Sequence, residues 1–406
     1  MNLKKIFQSI GPGPIIAAAF IGPGTVTVCT LAGAKFGTEL IWAMVLSILI
    51  TAILQENSGR IGMVTKMDLS ELIRFQKDKA LYKFFAIPLV LLAIGLGNAA
   101  YESGNLTGAA LGVDVIWSLK TEYIGSFELN LANLSIGIFT LILLWFGSFQ
   151  ILQRLLVGLV IILSLAFFAA ALITAPSFSQ ILSGFIPNPN AKNLLTIASL
   201  VGTTVVPYNL FLYASLAKKK WNSTHEIGKM RLDIWVAVVL GGLVSMAIMI
   251  VGASNMGQEI TNAVDVSKGL ESVFGSWAKY MMGIGLIGAG ITSSLTAPLA
   301  TGLVVCGLLG WSQEVSSKAM RTIMILVVLC GILFSSLGIK PIQLIVLAQL
   351  ANGILLPLVS GWILWIAYQK EHMGEYKTST SAMFVGVIIW LVTLALGIKS
   401  VSLVLS

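Results

Sequence analysis

Long apolar segments separated by short polar stretches run along the whole chain. A helix needs about 20 apolar residues to cross a bilayer core of about 30 Å. On this scale the sequence predicts eleven membrane-spanning helices, with approximate bounds 14–36, 39–59, 84–112, 132–149, 155–175, 194–217, 232–253, 276–309, 318–337, 342–368 and 381–399. They lack the alternation over about ten residues that is typical of a membrane β-barrel. We therefore predict an all-α, polytopic membrane protein with one domain, residues 1–406.

The composition excludes the soluble classes of protein. Hydrophobic residues make up 57% of the chain and charged residues 10%, whereas soluble domains carry about 25% charged residues. So few charges could not cover the surface of a soluble chain of 406 residues, and we exclude cytosolic, nucleic-acid-binding and disordered proteins. The first apolar segment is too long for a cleavable signal peptide. The three cysteines lie in apolar segments, which argues against a disulfide framework.

The basic residues predict the orientation of the chain in the membrane. If the N-terminus is cytoplasmic, 18 of the 25 Lys and Arg residues fall on the cytoplasmic side and 7 fall outside. Because Lys and Arg are enriched in cytoplasmic loops, we predict a cytoplasmic N-terminus and, after eleven spans, an external C-terminus. The net charge of +8 is explained by these loops and requires no nucleic-acid partner. We expect the protein in a bacterial inner (plasma) membrane.

Two of the predicted helices, the first and the sixth, are expected to be broken at a proline. Pro23 lies between Gly22 and Gly24 in the first segment, and Pro207 lies well inside the sixth. Proline removes a backbone N–H and clashes with the preceding turn of a helix. Each could be an ordinary proline kink. Interruptions at corresponding places in two five-helix halves, however, indicate the substrate site of a transporter.

Short motifs in several of the predicted helices together identify a family. They are Gly11-Pro12-Gly13-Pro14 at the start of the first segment, Gly22-Pro23-Gly24-Thr25 within it, Arg60-Ile61-Gly62 after the second, Val201 to Leu210 in the sixth, Gly290 to Thr296 in the eighth and Leu347-Ala348-Gln349 in the tenth. These motifs resemble those of the NRAMP divalent-metal transporters over nearly the whole chain. The resemblance implies a LeuT-type fold with alternating access, two inverted five-helix repeats at about 14–175 and 194–368, and an extra helix at about 381–399. It also implies a transporter and not an enzyme.

The chain departs from the family at the residues that bind the metal. The family's first motif reads Asp-Pro-Gly-Asn, and its Asp and Asn bind the metal, but the corresponding residues here are Gly22 and Thr25. The second motif reads Met-Pro-His-Asn, with a methionine sulfur ligand and a histidine implicated in proton movement. Here these positions hold Val206 and Tyr208, and Asn209 is retained.

The substitutions leave neutral oxygens as candidate ligands. Such oxygens suit a cation that keeps several waters, as Mg²⁺ does, whereas a site without a thioether does not favour soft metals. We therefore expect a secondary-active or facilitated transporter of divalent cations, Mg²⁺ or Mn²⁺ in preference to soft transition metals. The candidate binding residues are Gly22, Thr25, Val206, Tyr208, Asn209 and Gln349, of which Thr25 and Asn209 are the candidate metal ligands. The cation is the substrate, the lipid bilayer is the surrounding partner, and no cofactor is expected.

Polar residues inside the third and eighth segments are candidates for coupling or for lining the pathway. Glu102 and Asn105 lie on one face of the third segment, and Thr292 lies in the eighth. An unpaired ionisable residue inside a membrane costs about 3 kcal/mol or more, which makes it a functional candidate. Glu102 is therefore either a proton-carrying residue or an anchor between helices. Both histidines, His225 and His372, lie in polar loops and offer no relay within the membrane.

A second acidic residue, Glu56, lies near the end of the second segment. It is spaced i, i+4 from Arg60, and a helix places such residues side by side. We interpret Glu56 as a structural residue that pairs with Arg60 or with water.

Two other functions are compatible with the same fold. The glycines around Pro23 expose backbone N–H groups, and the N-terminus of a half-helix can receive a substrate carboxylate. A transporter of an amino acid or another small organic solute is therefore the alternative. A sensor that does not transport is a third possibility, but the polar loops are too short to hold an output domain.

Overall fold

α-Helices form almost all of the structure. The computed structural model describes residues 11–405 apart from 77, 79, 81, 118–120, 125–126, 147–149, 175, 258–259 and 261. The helices are α1 (Gly13–Phe20), α2 (Pro23–Phe36), α3 (Ile41–Thr65), α4 (Leu69–Phe75), α5 (Ile87–Trp117), α6 (Leu131–Phe146), α7 (Gln150–Thr174), α8 (Phe178–Ser183), α9 (Leu194–Thr204), α10 (Pro207–Lys220), α11 (Ile227–Ala253), α12 (Ala263–Ser267), α13 (Glu271–Phe274), α14 (Ala278–Leu309), α15 (Lys318–Ser335), α16 (Pro341–Tyr368), α17 (Lys370–Met373) and α18 (Thr380–Leu405). A π-helical turn, Tyr82–Ala86, precedes α5.

Each of the eleven predicted segments corresponds to helix. Nine helical stretches of the described residues are long and apolar enough to cross a membrane, and α1 with α2 forms a tenth that is bent by 59°. The segment predicted at 132–149 corresponds to α6, an apolar helix whose 16 described residues are too few to count among these spans, so the described residues support ten of the eleven predicted spans. The predicted ends at 149 and 175 lie outside the described residues. The polytopic helical class is confirmed.

One element was not predicted from the sequence. Strands β1 (Thr121–Ile124) and β2 (Phe127–Asn130) form an antiparallel hairpin between α5 and α6, in which Thr121 pairs with Asn130. The hairpin lies in the stretch between two apolar segments, where the length of apolar runs predicts no element.

The first and the sixth predicted segments are interrupted at their prolines, as predicted. The first break comprises Ile21 and Gly22, and Pro23 then begins α2. The second comprises Val205 and Val206, and Pro207 begins α10. Proline is well tolerated as the first residue of a helix, because the N–H at that position has no helical acceptor. The two prolines therefore end one half-helix and start the next.

Close contact between α5 and α14 builds the centre of the bundle. A Cβ atom on Gly112 of α5 would lie 2.5 Å from the carbonyl oxygen of Gly283, and one on Gly283 of α14 would lie 2.9 Å from that of Gly112. Small residues at such a crossing let two membrane helices approach closely. This packing holds the polar face of α5 against α14.

Two carboxylates tie neighbouring helices together. Asp233 of α11 accepts hydrogen bonds from the backbone N–H groups of Gly11 (2.9 Å) and Gly13 (2.8 Å), which anchors the start of α1. Glu56 of α3 accepts from Arg231 at 2.8 Å, a basic partner that its i, i+4 spacing to Arg60 did not indicate. The tertiary packing of α3 against α11 supplies a basic partner from another helix.

Candidate cation site

The two helix breaks lie next to each other inside the protein. The hydroxyl oxygen of Thr25, in the first turn of α2, lies 2.9 Å from that of Thr203, in the last turn of α9. Both side chains are buried. The distance is that of a hydrogen bond, in which either hydroxyl donates. The contact therefore joins the residues that follow the first break to those that precede the second.

The prolines also leave carbonyl groups without their helical donors. In an α-helix each carbonyl accepts from the N–H four residues later. Pro23 and Pro207 have no N–H, so the carbonyls of Ala19 and Thr203 lack this partner. Each break thus adds a backbone oxygen to the polar groups around it.

Two buried amide side chains add further unpaired polar atoms. Asn209, in the first turn of α10, is 1% exposed, and neither its oxygen nor its nitrogen has a hydrogen-bond partner among the described residues. The Oε1 atom of Gln349 in α16 is likewise buried without a partner. Buried polar atoms are nearly always paired, and an exception points to a bound water or ion.

Glycines in the first break let side chains from other helices reach its backbone. A Cβ atom on Gly24 would overlap the amide of Gln349. A Cβ atom on Gly22 would lie 2.8 Å from the hydroxyl oxygen of Ser293 in α14. Gly22 is thus in direct contact with α14, which corresponds to the eighth predicted segment, a candidate for lining the pathway.

Ser293, and not Thr292, faces this break. The Thr292 hydroxyl donates to the carbonyl of Gly288 in its own helix at 2.7 Å. This hydrogen bond stays within α14 and does not reach the break. The Ser293 hydroxyl is fully buried and has no partner among the described residues. The two residues are neighbours, and only the rotation of α14 about its axis distinguishes them.

Val206 and Tyr208 are buried at the second break. Val206 is the last residue before α10 and contributes no polar side-chain atom. The ring of Tyr208 packs edge-to-face against that of Tyr101 in α5, with 5.5 Å between the ring centroids. Sequence reasoning missed Tyr101, and its position directly before Glu102 was the available signal. The contact connects the second break to the polar face of α5.

Glu102 is fully buried in the centre of α5. Its Oε2 atom accepts a hydrogen bond from Asn105 at 3.2 Å, and its Oε1 atom has no partner in the described part of the chain. Ser294 of α14 faces the carboxyl group, and Gly331 of α15 leaves room for the side chain, since a Cβ there would lie 2.7 Å from its Cγ. The carboxyl group therefore lies at the junction of α5, α14 and α15.

The site has no cluster of charged or soft ligands. Among the described residues, no group of three or more His, Cys, Asp and Glu side chains is placed to hold a metal ion. The polar groups at the breaks are hydroxyls, amides and backbone carbonyls, all of them neutral. Such groups can coordinate a cation or hydrogen-bond to its water shell, but they do not neutralise its charge.

Comparison with known proteins decides the family. Residues 13–403 match the sequence profile of Nramp, described as natural resistance-associated macrophage protein-like. The chain belongs to the Nramp family. The Nramp chain is 26% identical over 396 residues to the divalent metal cation transporter MntH of Verminephrobacter eiseniae. The alignment covers 93% of this chain and 84% of that protein. A second MntH, from Caldanaerobacter subterraneus, is 24% identical over 402 residues, covering 96% and 91%.

Solved structures show the same fold. The manganese transporter of Eremococcus coleocola superposes on this Nramp chain with a TM-score of 0.76 at 20% identity, covering 98% of this chain and 87% of that one. Mhp1, a nucleobase-cation-symport-1 family transporter, superposes with a TM-score of 0.60 at 13% identity, covering 98% and 92%. The predicted LeuT-type fold is confirmed, and the expectation of a transporter and not an enzyme agrees with these relatives.

Proposed function

We propose that this protein transports divalent cations across the membrane and that its site takes Mg²⁺ or Mn²⁺ with part of their water shell. Membership of the Nramp family and the MntH relatives support a divalent cation as the substrate. The neutral character of the site supports Mg²⁺ or Mn²⁺ with part of the water shell as the ion. The observation that carries this choice is the pair of buried, unpartnered amides of Asn209 and Gln349.

The chemistry of the side chains favours a partly hydrated ion. Mg²⁺ gives up its waters reluctantly and usually keeps several of them in protein sites. No carboxylate at position 22 offsets the cost of dehydration, and Val206 offers no thioether for a softer metal. We infer that Thr25 and Asn209 are the ligands and that Gln349 binds the cation or one of its waters. Gly22, Val206 and Tyr208 shape the site.

The remaining parts of the proposal concern architecture and orientation. We propose that residues 14–175 and 194–368 are the two inverted repeats and that 381–399 is an extra helix. The matched breaks before Pro23 and Pro207 support this division. The excess of basic residues on one side supports a cytoplasmic N-terminus and an external C-terminus, in a bacterial inner membrane.

Coupling to protons, where it occurs, is proposed to depend on Glu102. This residue is a carboxyl group buried in the bundle, and it lies next to Tyr101, which contacts Tyr208. Tyr208 stands where the family has a histidine, and its phenol has no protonation change near neutral pH comparable to that of an imidazole. Transport is thus either uncoupled from protons or coupled through Glu102, with Asn105 as its hydrogen-bond partner.

Cation flux into proteoliposomes tests the proposal. We expect Mg²⁺ and Mn²⁺ uptake by the wild type and a loss of most of that uptake in Asn209→Ala and Gln349→Ala. Asn133→Ala is the matched control, because Asn133 is also a buried asparagine but lies in α6, away from both breaks. Equal uptake by all three variants would contradict the assigned site.

The same assay separates the proposal from transport of an organic solute. The amide of Gln349 already lies against Gly24 at the first break, and the Tyr101 ring packs on Tyr208 at the second, so side chains of the protein fill space beside both breaks. This favours a small ion over an amino acid. Uptake of a labelled amino acid without any cation flux would overturn the proposed substrate.

A further inference from the structure

An open pocket of about 650 Å³ lies at one end of the bundle, away from the cation site. Its walls come from the ends of α6 and α10, the loop after α14 and the first turn of α15. Phe146, Lys219, Glu314 and Arg321 line it. None of the residues proposed for cation binding contributes to this pocket, so its function is separate from theirs.

The pocket has an excess of positive charge. Lys219 and Arg321 come from different helices, and within the described residues neither takes part in an ion pair. The neighbouring Lys218 differs, because its amine binds Glu71. The Nε atom of Arg321 is buried and has no hydrogen-bond partner in the described part of the chain. Glu314 is the only acidic residue among those lining the pocket, so its one negative charge is outnumbered by the two positive charges of Lys219 and Arg321.

Exposed aromatic side chains adjoin these two basic residues. Phe146 is 75% exposed and Trp145 is 53% exposed. The guanidinium of Arg321 lies over the Trp145 ring, 5.7 Å from its centroid. Tryptophan is enriched at the headgroup level of a bilayer. The pocket therefore combines cations that fit an anionic group with apolar rings that fit the adjoining hydrocarbon.

We propose that this pocket binds the phosphate of an anionic phospholipid. Arg321 presents a planar fork of N–H donors that matches phosphate oxygens, and Lys219 adds a second positive charge. Trp145 and Phe146 then contact the glycerol and the upper acyl chain. Basic pockets between membrane helices recognise headgroups in this way. A soluble phosphate would satisfy the cations equally well but would leave the aromatic rings without a role.

Binding of short-chain lipids to the purified protein tests this proposal. The probes are dioctanoyl phosphatidylglycerol, dioctanoyl phosphatidylcholine and inorganic phosphate, measured by native mass spectrometry or calorimetry. We expect binding of phosphatidylglycerol, weaker binding of phosphatidylcholine, and no competition from inorganic phosphate at equal concentration. Removing one positively charged side chain, in Lys219→Gln or in Arg321→Gln, should raise the Kd for phosphatidylglycerol about fivefold. Lys370→Gln is the control, since Lys370 is an exposed lysine outside the pocket.

The variants separate a lost contact from a misfolded protein. Lys219 is exposed, so its substitution leaves the core intact. Arg321→Lys keeps the positive charge but loses the planar fork, and its Kd should lie between those of the wild type and Arg321→Gln. Equal affinity of the wild type for the two lipids, or equal affinity of Lys219→Gln and Lys370→Gln for phosphatidylglycerol, would overturn the proposal. Effective competition by inorganic phosphate would overturn the lipid as the occupant.

Discussion

The hydroxyl of Thr25 lies 2.9 Å from the hydroxyl of Thr203, and this contact joins the two interrupted helices at their breaks. One of the two hydroxyls donates and the other accepts. In the family an asparagine occupies the position of Thr25. The shorter side chain of threonine is held beside Thr203, and it brings a neutral oxygen to the site.

Thr203→Val should weaken the site without removing a proposed ligand. The substitution keeps the shape of the side chain but removes the hydroxyl that positions Thr25. We expect a loss of about 1 kcal/mol in stability, as for a typical buried hydrogen bond, together with reduced cation uptake. Thermal unfolding in detergent and proteoliposome flux measure the two effects. Thr296→Val is the control, because the Thr296 hydroxyl bonds within its own helix. Similar flux in both variants would show that Thr203 does not position Thr25.

Gly22→Asp combined with Val206→Met should strengthen Mn²⁺ binding. The double substitution restores the carboxylate and the thioether that the family uses, and these ligands suit a borderline metal. Ser293 must turn its hydroxyl away from the new Cβ, which a serine side chain does by rotation about one bond. Calorimetry should give weak Mn²⁺ binding for the wild type and tighter binding for the double variant. Micromolar binding by the wild type that is lost in Asn209→Ala would contradict the expected selectivity.

Glu102→Gln should abolish any proton movement that accompanies cation transport. Glutamine keeps the size and the hydrogen-bonding capacity of the side chain but cannot carry a proton. Acidification inside proteoliposomes, recorded during cation uptake, measures the coupling. Glu56→Gln is the control. Because Glu56 is paired with Arg231, this substitution should leave coupling intact. If Glu102→Gln moves protons as well as the wild type, the role proposed for Glu102 fails. If neither moves protons while cations still cross, transport is uncoupled and Glu102 is an anchor beside Asn105.

Gly33→Ala should destabilise the protein, whereas Gly95→Ala should not. A Cβ atom on Gly33 of α2 would overlap the backbone carbonyl oxygen of Met249 in α11, and backbone cannot move aside as a side chain can. Overpacking of this kind costs about 1–3 kcal/mol. Gly95 of α5 has nothing within 4 Å of the added atom, and alanine favours the helix by up to about 1 kcal/mol. Equal melting temperatures for the two variants would contradict the packing of α2 on α11.

The sequence alone determined the helical class, the positions of the spans and the two breaks. These features depend on local properties, because the thickness of the bilayer sets the length of an apolar segment and a proline can break a helix by removing a backbone N–H. The motifs around Pro23 and Pro207 and the changed residues Gly22 and Val206 could likewise be read directly, since they are identities of residues and not contacts.

Tertiary structure decided which side chains meet. Thr25 and Thr203 are separated by 178 residues, and their contact depends on how α2 and α9 pack. Glu56 binds Arg231 and not the nearby Arg60 because the position of α11 decides its partner. Ser293 faces the first break in place of Thr292 because adjacent residues of a helix point about 100° apart. The rotation of α14 is set by its packing on α5, through contacts that no local pattern in the sequence records.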